Sequence, residues 1–101
     1  MNENNDEVLL KVGSSTTPGS LAATINLRYE ENPNVKINLR GMGAGALNQA
    51  TKAVIVASKR LASKGIYISL VPCFVEIEVK TSKGLEKRTT IAQRLTFNKI
   101  G

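Results

Sequence analysis

Residues 40–52 combine the residue types and the spacing that proteins use to bind phosphate. The segment reads Arg-Gly-Met-Gly-Ala-Gly-Ala-Leu-Asn-Gln-Ala-Thr-Lys, and it joins a strand pattern to a helix pattern through three glycines in five residues. Glycine has no Cβ, so bare N–H groups at such a joint can face a ligand or a packed neighbour. The first N–H groups of the following helix are unpaired, and with the helix dipole they favour an anion, most often a phosphate. We call this segment the glycine joint and expect it to bind an anion.

The glycine joint also comes close to the dinucleotide fingerprint G-x-G-x-x-[GA], through Gly41, Gly43 and Ala46. That site needs an acidic residue about 20 positions further on to hold the ribose hydroxyls. No Asp or Glu occurs between Glu31 and Glu76, and the mononucleotide motif G-x-x-x-x-G-K-[ST] does not occur either. We therefore expect no nucleotide cofactor.

Other residues offer little for catalysis or for a metal. The chain has no histidine, its one aspartate is Asp6, and its one cysteine, Cys73, falls in an apolar strand pattern typical of a small core residue. Glu76 and Glu78 alternate along one strand, which is more typical of partners for cations across a sheet than of a catalytic carboxylate pair. We expect no enzyme, no metal and no cofactor.

Positive charge is concentrated in the later part of the chain. Residues 1–31 hold two cations and five anions, whereas residues 32–101 hold twelve cations and three anions. Such an imbalance is typical of proteins that bind a polyanion. The alternative is a solvated basic surface that keeps a small protein soluble.

The composition predicts a soluble cytoplasmic protein. Of the 101 residues, 42% are hydrophobic, and no apolar run approaches the roughly 20 residues of a membrane span. Residues 1–7 carry neither a basic start nor an apolar stretch, so we expect no secretory signal and no membrane contact. A single cysteine agrees with a reducing compartment. We expect a disordered acidic tail at residues 1–6 and one domain over residues 7–101.

The first half of the chain predicts two strands around a helix. Alternating apolar residues predict strands over residues 8–12 and 35–40. A Thr-Pro pair at residues 17–18 predicts the start of a helix, because proline suits the first helical position. An Asn-Pro pair at residues 32–33 predicts its end. The second strand leads directly into the glycine joint.

The second half predicts a long helix and a hairpin. Residues 44–63 have helical periodicity, and Gly65 is placed to cap that helix. The apolar residues of the next extended stretch change parity at residues 72–74, where we expect a bulge or bend that keeps both sets facing one core. A tip over residues 81–86 then leads to a fourth strand. The order β-α-β-α-β-β predicts an α+β sandwich with a four-stranded sheet and two helices.

Three blocks of the sequence together resemble a known bacterial family. They are Gly-Ala-Gly-Ala-Leu-Asn-Gln-Ala-Thr-Lys-Ala-Val at residues 43–54, Lys-Val-Gly-Ser-Ser-Thr-Thr-Pro-Gly-Ser-Leu-Ala at 11–22, and Leu-Val-Pro-Cys-Phe-Val-Glu-Ile at 70–77. With this spacing they resemble the stage V sporulation protein S family, which is related to Alba, the small dimeric chromatin and RNA-binding proteins. The resemblance implies an Alba-like two-layer sandwich, as the patterns predict independently. The acidic, Asn-rich start and the basic hairpin at residues 80–88 depart from the family pattern.

Similarity to Alba implies a homodimer that contacts nucleic acid, DNA or RNA, through three regions. These are the loop after the first strand, the glycine joint with the start of its helix, and the hairpin between the last two strands. On their chemistry, the candidate nucleic-acid contacts are Ser14, Ser15, Arg40, Gly43, Ala44, Gly45, Asn48, Gln49, Lys52, Lys80, Lys83, Lys87 and Arg88. The first loop lacks a lysine, so we expect its contact with phosphate to be weaker.

Some of these residues have a second interpretation. Asn48 and Gln49 are also suited to bracing the glycine joint against the neighbouring loop, and the hairpin cations are also suited to simple solvation. Base stacking is expected to contribute little, because the chain has four aromatic residues and two of them, Phe74 and Phe97, are predicted to face inward.

The sequence as a whole predicts a non-enzymatic protein that binds the nucleic-acid backbone with little sequence preference. The family resemblance adds a regulatory role in bacterial development. Two other functions stay open. One is a protein-interaction adaptor that uses the Ala-rich helix and the sheet edge, and the other is a small-anion or nucleotide sensor that uses the glycine joint alone.

Overall fold

A computed structural model of the chain describes residues 7–100, and there it shows two helices packed on one face of a four-stranded sheet. The predicted acidic tail at residues 1–6 lies outside the described residues. The α+β sandwich and the β-α-β-α-β-β order predicted from the sequence are confirmed. The elements are β1 (Glu7–Lys11), α1 (Pro18–Glu31), β2 (Lys36–Gly41), α2 (Gly43–Ala62), β3 (Ile66–Thr81) and β4 (Gly84–Lys99).

The sheet topology brings two helix starts to the same edge. The strand order is β1-β2-β4-β3, with β1 parallel to β2 and β4 antiparallel to both β2 and β3. Because β1 and β2 are parallel, their carboxyl ends lie side by side, and each of these strands leads into a helix. The N-termini of α1 and α2 therefore meet beyond the carboxyl ends of β1 and β2, at what we call the helix-start edge.

The core lies between the helices and the sheet. Ile25 of α1 and Leu39 of β2 are almost fully buried within it. From α2 the core receives mainly alanines, and Ala53 and Ala57 have no exposed surface. Small side chains on the buried stripe let this helix approach the sheet closely. Neither α1 nor α2 has the combination of length and hydrophobicity that a membrane-spanning helix requires.

The helix ends follow the local signals in the sequence. Pro18 opens α1, and the backbone N–H of Asn32 donates to the carbonyl of Arg28 at its end. Helix α2 begins at Gly43, one residue before the predicted start, and Gly65 beyond its end has φ of +73°, which favours glycine. The predicted boundaries are thus confirmed to within a residue.

The prediction of a bulge at residues 72–74 is wrong, because the structure has none there. Strands β3 and β4 pair in one uninterrupted register from Ile66–Lys99 to Thr81–Gly84. Strand β2 ends where Gly41 pairs with Ile91, and Ile91 in turn pairs with Phe74, so the rest of β3 and β4 extends alone as a two-stranded arm, residues 74–91. The arm extends beyond the helices, so its apolar residues do not all have to face one core. Their parity can therefore change without a bulge.

Two side chains of β3 lie where the sequence did not predict them. Phe74 is 79% exposed, although an inward orientation was expected. Cys73 was expected in the core. It is instead half-buried opposite Ala92, on the sheet face away from the helices. Phe97 does lie at the margin of the core, with its ring centroid 4.7 Å from that of Tyr29.

Candidate nucleic-acid interface

The helix-start edge is electropositive before any cationic side chain is considered. Among the described residues, neither Thr17 before α1 nor Met42 before α2 makes a side-chain capping hydrogen bond, and neither helix carries an acidic residue in its first turn. The first N–H groups of an α-helix have no partner within the helix, and they carry the positive end of its dipole. Two such ends at one edge make a surface suited to an anion.

Two glycines build the joint itself. Gly43 has φ of +87°, a conformation that glycine adopts without strain. A Cβ on Gly41 would lie 2.6 Å from the carbonyl oxygen of Val12 and 2.6 Å from the Cβ of Ala46. Only glycine lets the end of β2 pass this close to both the end of β1 and the first turn of α2. Gly41 thus sets how closely the end of β1 and the first turn of α2 can approach β2.

A third glycine and a glutamine hold the first loop against α2. A Cβ on Gly45 would lie 2.9 Å from the Cβ of Ser14. The Gln49 Nε2 group donates to the carbonyl of Thr16 at 2.8 Å, and the Thr16 hydroxyl accepts from the N–H of Gly13 at 2.7 Å. Gln49 therefore braces the loop, as in the second interpretation of this residue. The bracing places the exposed Ser14 and Ser15 beside the start of α2.

The other predicted residues of α2 share one solvent-exposed line. Ala44, Asn48 and Lys52 recur every four residues and are all exposed, as are Gly43 and Gly45. The line begins at the free N–H groups and ends two turns along the helix at an ammonium group. These residues are thus together on the surface at the start of α2, whereas the half-buried Gln49 turns towards the loop.

Arg40 has a cationic neighbour that sequence reasoning missed. Lys11 pairs with Arg40 in the register of the two parallel strands, immediately before the first loop. Both line a cleft of about 410 Å³ together with Leu9, Ile77 and the acidic Glu78, so its lining holds two cations and one carboxylate. The Nε atom of Arg40 is buried there without a hydrogen-bond partner in the described part of the chain. The signal for Lys11 was its place at the end of the first strand, equivalent to that of Arg40 at the end of the second.

The arm divides its cations between two faces. Lys80 and Lys87 are diagonal neighbours on the face that continues the helix side of the sheet, since Lys87 pairs with Glu78 and Lys80 with Leu85. Arg88 lies on the opposite face, where its guanidinium is 3.3 Å from a carboxylate oxygen of Glu86. The sequence-predicted hairpin cations therefore do not form one cluster.

Lys83 lies at the tip of the arm. Its N–H donates to the Thr81 hydroxyl at 3.1 Å, and Gly84 completes the turn with φ of +109°. At about 3.4 Å per strand residue, the tip lies roughly 25 Å beyond the end of β2. A DNA strand rises roughly 3.4 Å along the helix axis per nucleotide, so the length of the arm corresponds to the rise of several nucleotides. The base of the arm adjoins the glycine joint, because Phe74 and Ile91 line a cavity with Gly43 and Ala44.

The described fold is that of Alba. Its structure is similar to that of Alba from Thermoplasma volcanium, with a TM-score of 0.63 over 88% of this chain and 99% of that chain, at 12% sequence identity. At this identity the likeness shows the fold alone. Precorrin-8w decarboxylase from Methanobacterium thermoautotrophicum is also similar over 87% of this chain and 44% of that chain, at 16% identity, but its TM-score of 0.38 is too low to bear on the fold or the function.

The family to which the chain belongs is identified from its sequence. The family model described as Stage V sporulation protein S (SpoVS) matches residues 8–98. The chain belongs to the stage V sporulation protein S family, which confirms the resemblance seen in the three sequence blocks.

Proposed function

We propose that this protein is a non-enzymatic nucleic-acid-binding protein that contacts the phosphate backbone with low sequence specificity and acts as a regulator. The observation that carries the proposal is the meeting of two uncapped helix N-termini at one edge, where Arg40 and Lys11 lie near the ends of β2 and β1 with their side chains on the sheet face away from the helices. Free N–H groups and cations at one edge suit a chain of phosphates. The excess of cations in residues 32–101 attracts the same partner over a longer range.

Low sequence specificity follows from the groups that this edge offers. Main-chain N–H groups, the serine hydroxyls of the first loop and lysine ammonium groups bind phosphate oxygens, and these contacts carry no sequence information. Reading bases in a duplex requires a helix or strand lodged in a groove. The exposed line of α2 that begins at Ala44 offers only Asn48 and Lys52 for such reading.

We further propose that the protein acts in the cytoplasm as a homodimer. Apolar side chains on the surface support self-association, since Ile55 and Val56 of α2 are 53% and 42% exposed. A dimer would present two glycine joints and two arms to one nucleic acid, which raises the apparent affinity without any new kind of contact. Sedimentation of the free protein at twice the chain mass of 10.9 kDa would support this state, and a monomer at micromolar concentration would contradict it.

The test of nucleic-acid binding is a fluorescence-anisotropy titration across salt concentrations. We expect the logarithm of the affinity to fall steeply with the logarithm of salt, with a slope of about −0.9 per neutralised phosphate on duplex DNA. In the double variant Lys80→Ala/Lys87→Ala, the magnitude of this slope should decrease by about 1.8, because two phosphate contacts of the arm are lost. Its effect should be the same for all sequences tested.

The matched control is Lys36→Ala/Lys99→Ala, which removes the same charge at the end of the sheet opposite the glycine joint. Its slope should stay close to that of the wild-type protein. Equal slopes for both double variants would show that only net charge matters and would contradict an interface at the arm. Binding that does not depend on salt would contradict the proposed function as a whole.

A second candidate function is the sensing of a small anion in the cleft between Lys11 and Arg40. The buried Arg40 Nε without a partner and the cleft volume of about 410 Å³ favour it, and volumes of roughly 300–1,000 Å³ are usual for small-ligand sites. A thermal-shift screen separates the two functions. Strong stabilisation by one nucleotide and little by DNA or RNA would favour the sensor.

A further inference from the structure

Phe74 presents an aromatic ring to solvent beside the glycine joint. It is 79% exposed, more than any other large hydrophobic residue in the described part of the chain. The chain has two tyrosines, two phenylalanines and no tryptophan. Tyr29 and Phe97 pack against each other at the margin of the core, and Tyr67 lies on the other face of β3. Phe74 is thus the one aromatic side chain at this end of the described structure.

The ring of Phe74 lies in a concave setting. It lines a cavity of about 430 Å³ whose other apolar walls include Leu47 of α2 and Ile91 of the arm. Gly43 and Ala44, the first two residues of α2, line the same cavity, and so does the exposed Thr89. Apolar side chains, a hydroxyl group and the first residues of an uncapped helix therefore line one cavity of about 430 Å³.

We infer that the cavity accepts an unpaired base, which stacks on Phe74 while its phosphate is bound by the N–H groups at the start of α2. This inference rests on the proposed function and names its partner class as single-stranded nucleic acid or a strand with unpaired nucleotides. Within a duplex both faces of a base are covered by its neighbours, so a ring on the protein can stack only on a base that is free.

The charge of the cavity favours a nucleotide over a second copy of the chain. In a symmetric dimer built on this patch, each copy would present Phe74 together with its own α2 N-terminus to its partner. Two positive helix ends would then face each other. A nucleotide offers an apolar face to the ring and a negative charge to the helix end, which is the complement of this site.

The test uses Phe74→Trp, which introduces the only tryptophan into the chain. Titration with an unstructured single-stranded oligonucleotide should quench its emission at least twofold, whereas a blunt duplex of the same length should quench it little. Tyr67→Trp is the matched control, because this residue is 50% exposed on the opposite face of the same strand. Its emission should change little with either oligonucleotide.

Affinity measurements with Phe74→Leu complete the test. Single-strand affinity should fall by roughly 5- to 100-fold, in line with the loss of one stacked base, while duplex affinity stays within about twofold. Thermal melting of this variant should match that of the wild-type protein, because the side chain is exposed.

The outcomes distinguish the inference from the proposed function. Unchanged affinity of Phe74→Leu, with no quenching of Phe74→Trp, would overturn the inference, and the proposed function would stand if binding were still steeply salt-dependent. A change in the sedimentation of the free Phe74→Leu protein would show that a second copy covers the ring, and would also overturn the inference. Absence of any nucleic-acid binding at low salt would overturn both.

Discussion

Ala44→Glu is expected to weaken nucleic-acid binding by roughly 10- to 100-fold while leaving the protein at least as stable as the wild type. Ala44 is exposed in the first turn of α2, so a carboxylate there would occupy the N–H groups proposed to bind phosphate. Loss of hydrogen bonds to a charged group costs about 1.5–3 kcal/mol. The same carboxylate should stabilise the helix by about 0.3–1 kcal/mol, because it compensates the dipole. Anisotropy titration and urea unfolding measure the two effects.

The opposite signs of these two effects make the prediction specific. A variant that binds weakly because it is misfolded would lose stability, whereas Ala44→Glu should not. Ala62→Glu is the matched control, since it makes the same change of charge at the exposed last residue of α2, roughly 27 Å away along the helix. Equal losses of affinity in the two variants would mean that the start of α2 is not the site.

Gly41→Ala is expected to destabilise the protein by about 2–3 kcal/mol, as overpacking of a tight site does. The new methyl group would lie 2.6 Å from both the Val12 carbonyl oxygen and the Ala46 Cβ. The first is backbone and the second is fixed to a helix, so neither can rotate away. Since small proteins have about 5–15 kcal/mol of stability in total, this loss should be visible as a lower urea midpoint at an unchanged slope.

Gly19→Ala is the matched control for Gly41→Ala. This glycine lies in the first turn of α1, and an added Cβ would meet no atom within 4 Å. The substitution should raise stability by up to about 1 kcal/mol, because alanine has the higher helix propensity. Equal free energies of unfolding for Gly41→Ala and Gly19→Ala would contradict the close approach of β1, β2 and α2 at Gly41.

The two predictions test two consequences of one arrangement. Gly41 allows the ends of the parallel strands to lie close to α2, and the parallel pairing brings the α1 and α2 starts to one edge. The result is the anion site that we propose, which is made largely of main-chain groups and to which Arg40 and Lys11 add charge. Such a site needs few polar side chains, and the residues at the start of α2 are accordingly small, with Gly43, Ala44 and Gly45 in sequence.

The element order was predictable because its signals are local. Alternation of apolar residues in the strands, the prolines at positions 18 and 33 and the glycines at positions 43 and 65 act within a few residues of themselves. The structure confirms the order, the helix ends and the joint between β2 and α2. The family likewise followed from sequence blocks that the family model matches.

Side-chain surroundings across the sheet were not predictable in the same way. The bulge expected at residues 72–74 assumed that the whole of β3 faces one core, but the arm leaves the helices behind, and so Phe74 is exposed. Gln49 turned out to be a brace because the first loop lies against α2. Lys11 lies next to Arg40 because the register of β1 and β2 pairs these two residues.

The amino-acid order by itself determined where helices and strands begin and end, the small residues at the glycine joint and the excess of positive charge, because each depends on residues adjacent in the chain. Only the tertiary structure decided which groups share a surface: the two helix starts, the Lys11–Arg40 pair and the Phe74 cavity. These depend on strand pairing and on where the sheet extends past its helices. Both involve residues tens of positions apart, and the parity change at residues 72–74 did not by itself distinguish the start of the arm from a bulge.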